Sequence, residues 1–195
     1  PEEAQSAQYP GSPDRVDYAW LHKTRPALLR AAWERGKTKC ASELADFWKA
    51  EKDWLPDFAL FLALREHFGG AELKDWPDPV RKREPKALAP LREELEEEIK
   101  YHAFLQMLFF RQWTSLRAYA NEKGISIIGD LPIYVSPDSA EVWGDPRLFL
   151  LDKDLTPTAE AGVPPDAFSE MGQHWGNPLY DWKYHKQTGF AWWKR

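Results

Sequence analysis

The sequence predicts an α/β fold that is mostly helical in this segment. Three observations carry that expectation. Apolar residues recur near helical spacing from Leu88 to Ala120. A short apolar run, Ile125-Ser126-Ile127-Ile128, comes directly after Gly124. Residues 162–180 then form a long stretch crowded with Gly, Pro, aromatic and amide or carboxyl side chains. A long helix, a glycine stop and a buried strand make one αβ unit, of the kind found in parallel sheets covered on both faces. Only one strong unit of this kind occurs, with no internal repeat and no low-complexity tract.

Residues 1–15 are polar and rich in Pro and Gly, so a linker or disordered segment is expected. Asp17 is placed to cap a helix through about Gly36, with Pro26 interrupting it. Ser42 is expected to cap a second helix through about Trp54. Pro56 suits the first turn of a third, through Phe68, and Phe58, Leu60, Phe61, Leu62 and Leu64 predict its burial. Gly69-Gly70 ends it. Residues 71–85 read as a Pro-punctuated connection whose Arg81-Lys82-Arg83 triplet is expected to be a solvated face. A long helix is expected from Lys86 to Glu122, projecting at its acidic start (Glu93, Glu94, Glu96, Glu97, Glu98) and buried toward its apolar end (Phe104 to Phe110). Leu148 to Leu151 and a turn at 152–154 suggest a short hairpin. Helical pieces are expected at 181–186 and 190–195. The organisation predicted is a linker over 1–15, a helical insertion subdomain over 16–85, and an α/β segment over 86–195.

Composition narrows the function. A net charge of −5 argues against nucleic-acid binding as the main role. The lone Cys40 excludes an internal disulfide and a cysteine-based zinc cluster, and suits a reducing compartment. No run approaches membrane-spanning length and no signal pattern opens the chain, so the expected location is cytoplasmic, with no membrane or nucleic-acid partner. Eleven tryptophans are several times the usual share, and most are expected to fill the core. Trp175 is the exception, because of its loop. The polar start at Pro1 and the Trp192-Trp193-Lys194-Arg195 end, in mid-pattern, suggest a piece of a longer polypeptide.

Three constellations bear chemistry. Asp130 follows the predicted strand directly, where a carboxylate can accept hydrogen bonds from sugar hydroxyls; the competing reading is an Asp that caps loop amides. The stretch 162–180 carries Asp166, Phe168, Ser169, Glu170, Gln173, Trp175 and Asn177. Amides offer donor and acceptor together, and indole offers a flat apolar face to a sugar ring. A loop so rich in Pro and aromatics is costly to order and favours binding over an ordinary surface role. Ser139 is more suited to capping a short helix than to touching substrate, though both are open. No metal site is expected: Glu98 and His102 share a helix face, but one such pair lacks further ligands. No phosphate loop, serine elbow or activated cysteine is found, and no cofactor is expected.

Ile128-Gly129-Asp130-Leu131-Pro132-Ile133-Tyr134-Val135, Asp138-Ser139-Ala140-Glu141-Val142-Trp143, the helical stretch from His102 to Trp113, and Gly162 through Tyr180 together resemble the 4-alpha-glucanotransferases, the amylomaltase or disproportionating-enzyme family, glycoside hydrolase family 77. The likeness covers about residues 15–195. It implies a fragment of a (β/α)8 TIM barrel of the alpha-amylase type with a large helical insertion. It implies transfer of an α-1,4-glucan segment to the 4-hydroxyl of another glucan or glucose, with retention through a covalent glycosyl-enzyme. The family's two catalytic carboxylates sit in an Arg-x-Asp-His motif and a Glu-Asp-Leu-Gly motif, and neither motif occurs in this sequence. No catalytic residue is therefore assigned here, and the isolated segment is expected to be inactive. The resemblance gives substrate contact to Asp130, Asp166, Phe168, Ser169, Gln173 and Trp175, while Ala167 departs from a Tyr in some relatives. The alternative is a non-catalytic α-glucan-binding module; a helical interaction protein fits the strand and loop motifs poorly.

Overall fold

The structure is a computed structural model that describes residue 5, residues 8–12 and residues 14–194. About half of the linker expected over 1–15 lies outside these. Asp17 caps the first helix as its carboxylate predicts, accepting the Trp20 N–H at 2.9 Å, and α1 runs Tyr18–Gly36 with Pro26 inside it. A tight turn leads straight into α2, Ala41–Ala50, with Cys40 at the cap position. The expected Ser42 cap is thus corrected. The Cys40 N–H bonds to the Gly36 carbonyl at 2.8 Å and fixes an earlier start, leaving Ser42 in the first turn. Helix α3, Leu55–His67, carries Pro56 in its first turn and buries Leu55, Ala59, Leu60, Phe61, Ala63 and Leu64, as its apolar pattern requires.

A 3₁₀ turn at Leu73–Asp75 and the short helix α4, Asp78–Arg81, occupy the Pro-punctuated connection. The basic triplet is not a solvated face. Arg81, only 13% exposed, pairs with Asp78 and donates to the Lys74 carbonyl. Lys82 reaches Asp78 and Asp154. Arg83 pairs with Asp57 and lies 4.1 Å over the Trp143 ring. The three cations thereby tie α3, α4 and the 152–154 turn together.

The long helix expected over 86–122 is two helices, α5 (Pro85–Glu94) and α6 (Glu96–Glu122), broken at Leu95 with φ −97° and ψ 16°. The break turns Leu95 into the core and directs Glu98 to Arg30 of α1 and Glu97 to Lys37 at its end. The predicted gradient of burial holds at the acidic start, where Glu93, Glu94, Glu96 and Glu97 are exposed, and fails beyond Met107. Tyr101, His102, Ala103, Phe104 and Met107 are buried, whereas Phe109, Trp113, Leu116 and Tyr119 are exposed. The reason lies in which turns are covered: α1, α2 and α3 pack on α6, and the buried residues all fall in its earlier turns.

Gly124 ends α6 at φ 73° as expected. The strand predicted at 125–128 is not formed among the described residues. The segment has no ladder partners, and Ile128 is 95% exposed. A parallel strand needs a neighbouring strand, and local sequence supplies none. Ser139 then caps α7, Ala140–Gly144, accepting the Val142 N–H at 3.3 Å. The expected hairpin near 152–154 exists as a Leu151↔Pro157 bridge, with Asp152 accepting the N–H groups of Asp154 and Thr156.

Residues 162–180 are more regular than a loop. Strand β1, Glu160–Val163, pairs antiparallel with β2, Gln173–Pro178, with a register irregularity between Glu160 and Gly162. Helix α8, Trp182–Gln187, follows, capped by Asp181, and a 3₁₀ turn spans Trp192–Lys194. Two apolar clusters flank α3. One joins Leu60, Phe61 and Leu64 to Trp76, Trp143 and Tyr180. The other joins Leu55 and Ala59 to Trp33 and Phe104.

Candidate functional site

The hairpin β1–β2 carries most of the predicted site. Its tip, residues 164–172, is held by its own polar side chains. Asp166 Oδ1 accepts the N–H groups of Phe168 and Ser169, each at 2.8 Å, and the Ser169 hydroxyl donates to the Gly172 carbonyl at 2.7 Å. Gly172 has φ +72°, and a Cβ there would stand 2.5 Å from the Val163 carbonyl oxygen, so only glycine closes this turn. The tip also carries its apolar side chains outward: Phe168 is 95% exposed and Met171 90%. His174 and Glu160 bridge the two strands, Nε2 to Oε2 at 2.7 Å.

The segment 128–135 lies against β2 and the residues after it. Asn177 donates its amide to the Val135 carbonyl at 2.7 Å. The Tyr180 hydroxyl donates to the Ile133 carbonyl at 2.6 Å. These bonds satisfy two carbonyls of a segment that has no sheet to join. They also bring the Tyr134 ring to Trp175, centroids 5.2 Å apart at 71°. The Trp175 indole N–H donates to Gln173 Oε1 at 3.0 Å, and both rings keep a half-exposed face. Burial among aromatic rings pushes the Tyr180 phenol up from its ordinary range, so it stays a hydroxyl donor.

The structure therefore brings Gln173 and Trp175 together with Tyr134, and groups Asp166, Phe168 and Ser169 at the hairpin tip. Asp130 sits exposed on the facing segment, its Oδ1 accepting the Leu131 N–H at 2.8 Å. Ser139 stands apart as the α7 cap. Tyr134 is the residue that sequence reasoning passed over. Its signal was an aromatic ring just beyond the Pro132 turn, in the segment that carries Asp130. A cleft of about 720 Å³ lies elsewhere, lined by Trp54, Asp57, Glu141, Tyr184 and Trp192 among others, and by none of the predicted residues.

A family model described as 4-alpha-glucanotransferase matches residues 2–195. The chain belongs to the 4-alpha-glucanotransferase family. It is 50% identical to the 4-alpha-glucanotransferase of Thermus thermophilus over 191 residues, which is 95% of this chain and 38% of that protein. To the Synechocystis 4-alpha-glucanotransferase it is 47% identical over 92% of this chain and 36% of the relative. The amylomaltase of Streptococcus agalactiae, solved in complex with acarbose, superposes with a TM-score of 0.93 at 48% identity, over 98% of this chain and 39% of that one. The chain thus spans roughly two fifths of the length of the 4-alpha-glucanotransferases it matches. Among the described residues no helix is long and apolar enough to cross a membrane.

Proposed function

We propose that this chain is the central part of a 4-alpha-glucanotransferase, which moves an α-1,4-glucan segment onto the 4-hydroxyl of another glucan or of glucose. One observation carries this reading: a hairpin exposing Phe168 at its tip and Trp175 on its strand, pinned through Asn177, Tyr180 and Tyr134 to the segment bearing Asp130. The half-exposed indole offers a stacking surface for a sugar ring. Gln173, Asp166 and Ser169 supply hydrogen-bonding groups for hydroxyls, and Asp130 offers a free carboxylate oxygen. Ser139 acts through α7, which it caps. The whole protein would retain anomeric configuration by double displacement, with both catalytic carboxylates supplied by the remainder of the polypeptide. The acarbose-bound streptococcal relative supports a glucan ligand.

The same reading makes residues 86–195 a part of a (β/α)8 barrel and residues 16–85 a helical insertion. The exposed run of Phe109, Trp113, Leu116 and Tyr119, with the unpaired stretch at 125–128, supports it. A barrel covers such helix faces and pairs such strands. A cytoplasmic location suits the single Cys40.

A transferase must let glucan outcompete water for the glycosyl-enzyme, and an apolar lid does this by excluding water. Maltotriose tests the reading. The full-length protein should release glucose and build longer maltodextrins, and this segment alone should do neither. Phe168→Ala in the full-length protein should raise hydrolysis relative to transfer. Turnover by the isolated segment would overturn the assignment of both carboxylates to the remainder, and an unchanged transfer-to-hydrolysis ratio would overturn the lid.

A further inference from the structure

Glu98 and His102 lie one turn apart on α6, a pair that by itself is too small to hold an ion. The fold adds Glu66 from α3. The donor atoms of Glu66, Glu98 and His102 all lie within 4.8 Å of one another. His102 is 6% exposed, and its Nε2 stands 3.3 Å from Glu66 Oε1 without the alignment of a hydrogen bond, leaving a buried ring nitrogen with no hydrogen-bond partner. Buried polar atoms are nearly always satisfied, so an orphan of this kind calls for a ligand.

We propose that Glu66 Oε1, a Glu98 carboxylate oxygen and His102 Nε2 form a three-donor site for a divalent cation of the zinc type, clamping α3 to α6. The donor set decides the class of ion. One imidazole nitrogen with two carboxylates suits Zn2+ or Co2+, whereas Mg2+ and Ca2+ prefer oxygen alone. Donors around a tetrahedral zinc lie about 3.3 Å apart, so the site tightens on binding. Glu98, whose side chain is 36% exposed, has the freedom to move.

Arg30 of α1 already contacts this cluster. Its Nη2 bridges Glu66 Oε2 and Glu98 Oε2, while its guanidinium lies 3.6 Å over the Tyr101 ring. Two carboxylates against one guanidinium leave the cluster with one net negative charge, and the Glu66 oxygen nearest His102 is not the one Arg30 takes. Arg30 is thus a competitor for the same charge, and its removal should tighten metal binding.

Calorimetry with Zn2+ and visible absorption with Co2+, both on the full-length protein, test this. One ion should bind per chain with micromolar affinity, and Mg2+ should fail to displace it. His102→Gln should weaken binding about 100-fold and the half-exposed Glu98→Gln about tenfold or more. Arg30→Gln should strengthen it. Absence of saturable Zn2+ binding overturns the site. So does binding that survives both His102→Gln and Glu98→Gln, which would belong to surface side chains such as His174.

Discussion

Trp175 and Tyr134, 41 positions apart in sequence, meet edge to face with ring centroids 5.2 Å apart. Aromatic pairs of this geometry contribute about 0.5–1.5 kcal/mol beyond their buried area. Tyr134 therefore positions the indole that faces the proposed glucan groove. In the full-length protein, Tyr134→Leu should raise KM for a maltooligosaccharide acceptor by about two- to tenfold, with a smaller change in kcat. An unchanged KM would remove the positioning role.

The two side-chain bonds that pin the 128–135 segment can be cut singly. Asn177→Leu and Tyr180→Phe each remove one donor from a backbone carbonyl, at a cost of about 1 kcal/mol. Hydrogen exchange followed by mass spectrometry should show faster exchange over 131–135 in both variants. If exchange speeds up evenly along the chain instead, these bonds serve general stability and not the site.

The hairpin tip depends on Gly172. Its φ of +72° and the 2.5 Å gap that a Cβ would leave to the Val163 carbonyl oxygen predict strain in Gly172→Ala, on the order of 1–3 kcal/mol. The turn over 164–172 should open, protease should cut there sooner, and the transfer-to-hydrolysis ratio should fall as the lid loosens. Equal protease lifetimes for variant and parent would refute this.

Trp143 is the largest fully buried side chain. Its indole N–H donates to the Val80 carbonyl at 3.1 Å, and it packs on Phe61 and Trp76 beneath the Arg83 guanidinium. Trp143→Ala should cost about 3–5 kcal/mol. Trp143→Phe keeps most of the packing and orphans one carbonyl, for about 1–3 kcal/mol. Urea unfolding midpoints should fall in that order, and identical midpoints would deny the indole N–H its part.

How legible the molecule was depends on the range of the forces involved. Asp17 and Ser139 cap their helices because a carboxylate or hydroxyl satisfies amides within the next turn, which sequence shows directly. The apolar pattern of α3 announced its burial for the same reason. The break at Leu95 escaped the periodicity because a core contact and two ion pairs to α1 and its end favour it, and those partners lie some 60 positions away. The regularity of β1 and β2 escaped because Gly162 and the prolines mask a ladder that only pairing reveals. Of the site, Asp166, Phe168 and Ser169 are neighbours in sequence and stayed together, whereas Tyr134 showed only as an aromatic ring beyond Pro132, and its pairing with Trp175, 41 positions away, needed the fold.

What the sequence determined alone was the family, most of the helical segments and the turn-forming residues of the 162–180 stretch, since these rest on residue identity and short-range hydrogen bonding. Only the tertiary structure decided that Tyr134 supports Trp175, that Glu66 joins Glu98 and His102, and which turns of α6 are covered. Each of these is a meeting of surfaces far apart along the chain, and hydrophobic burial acts between whatever surfaces meet, without regard to their order in sequence.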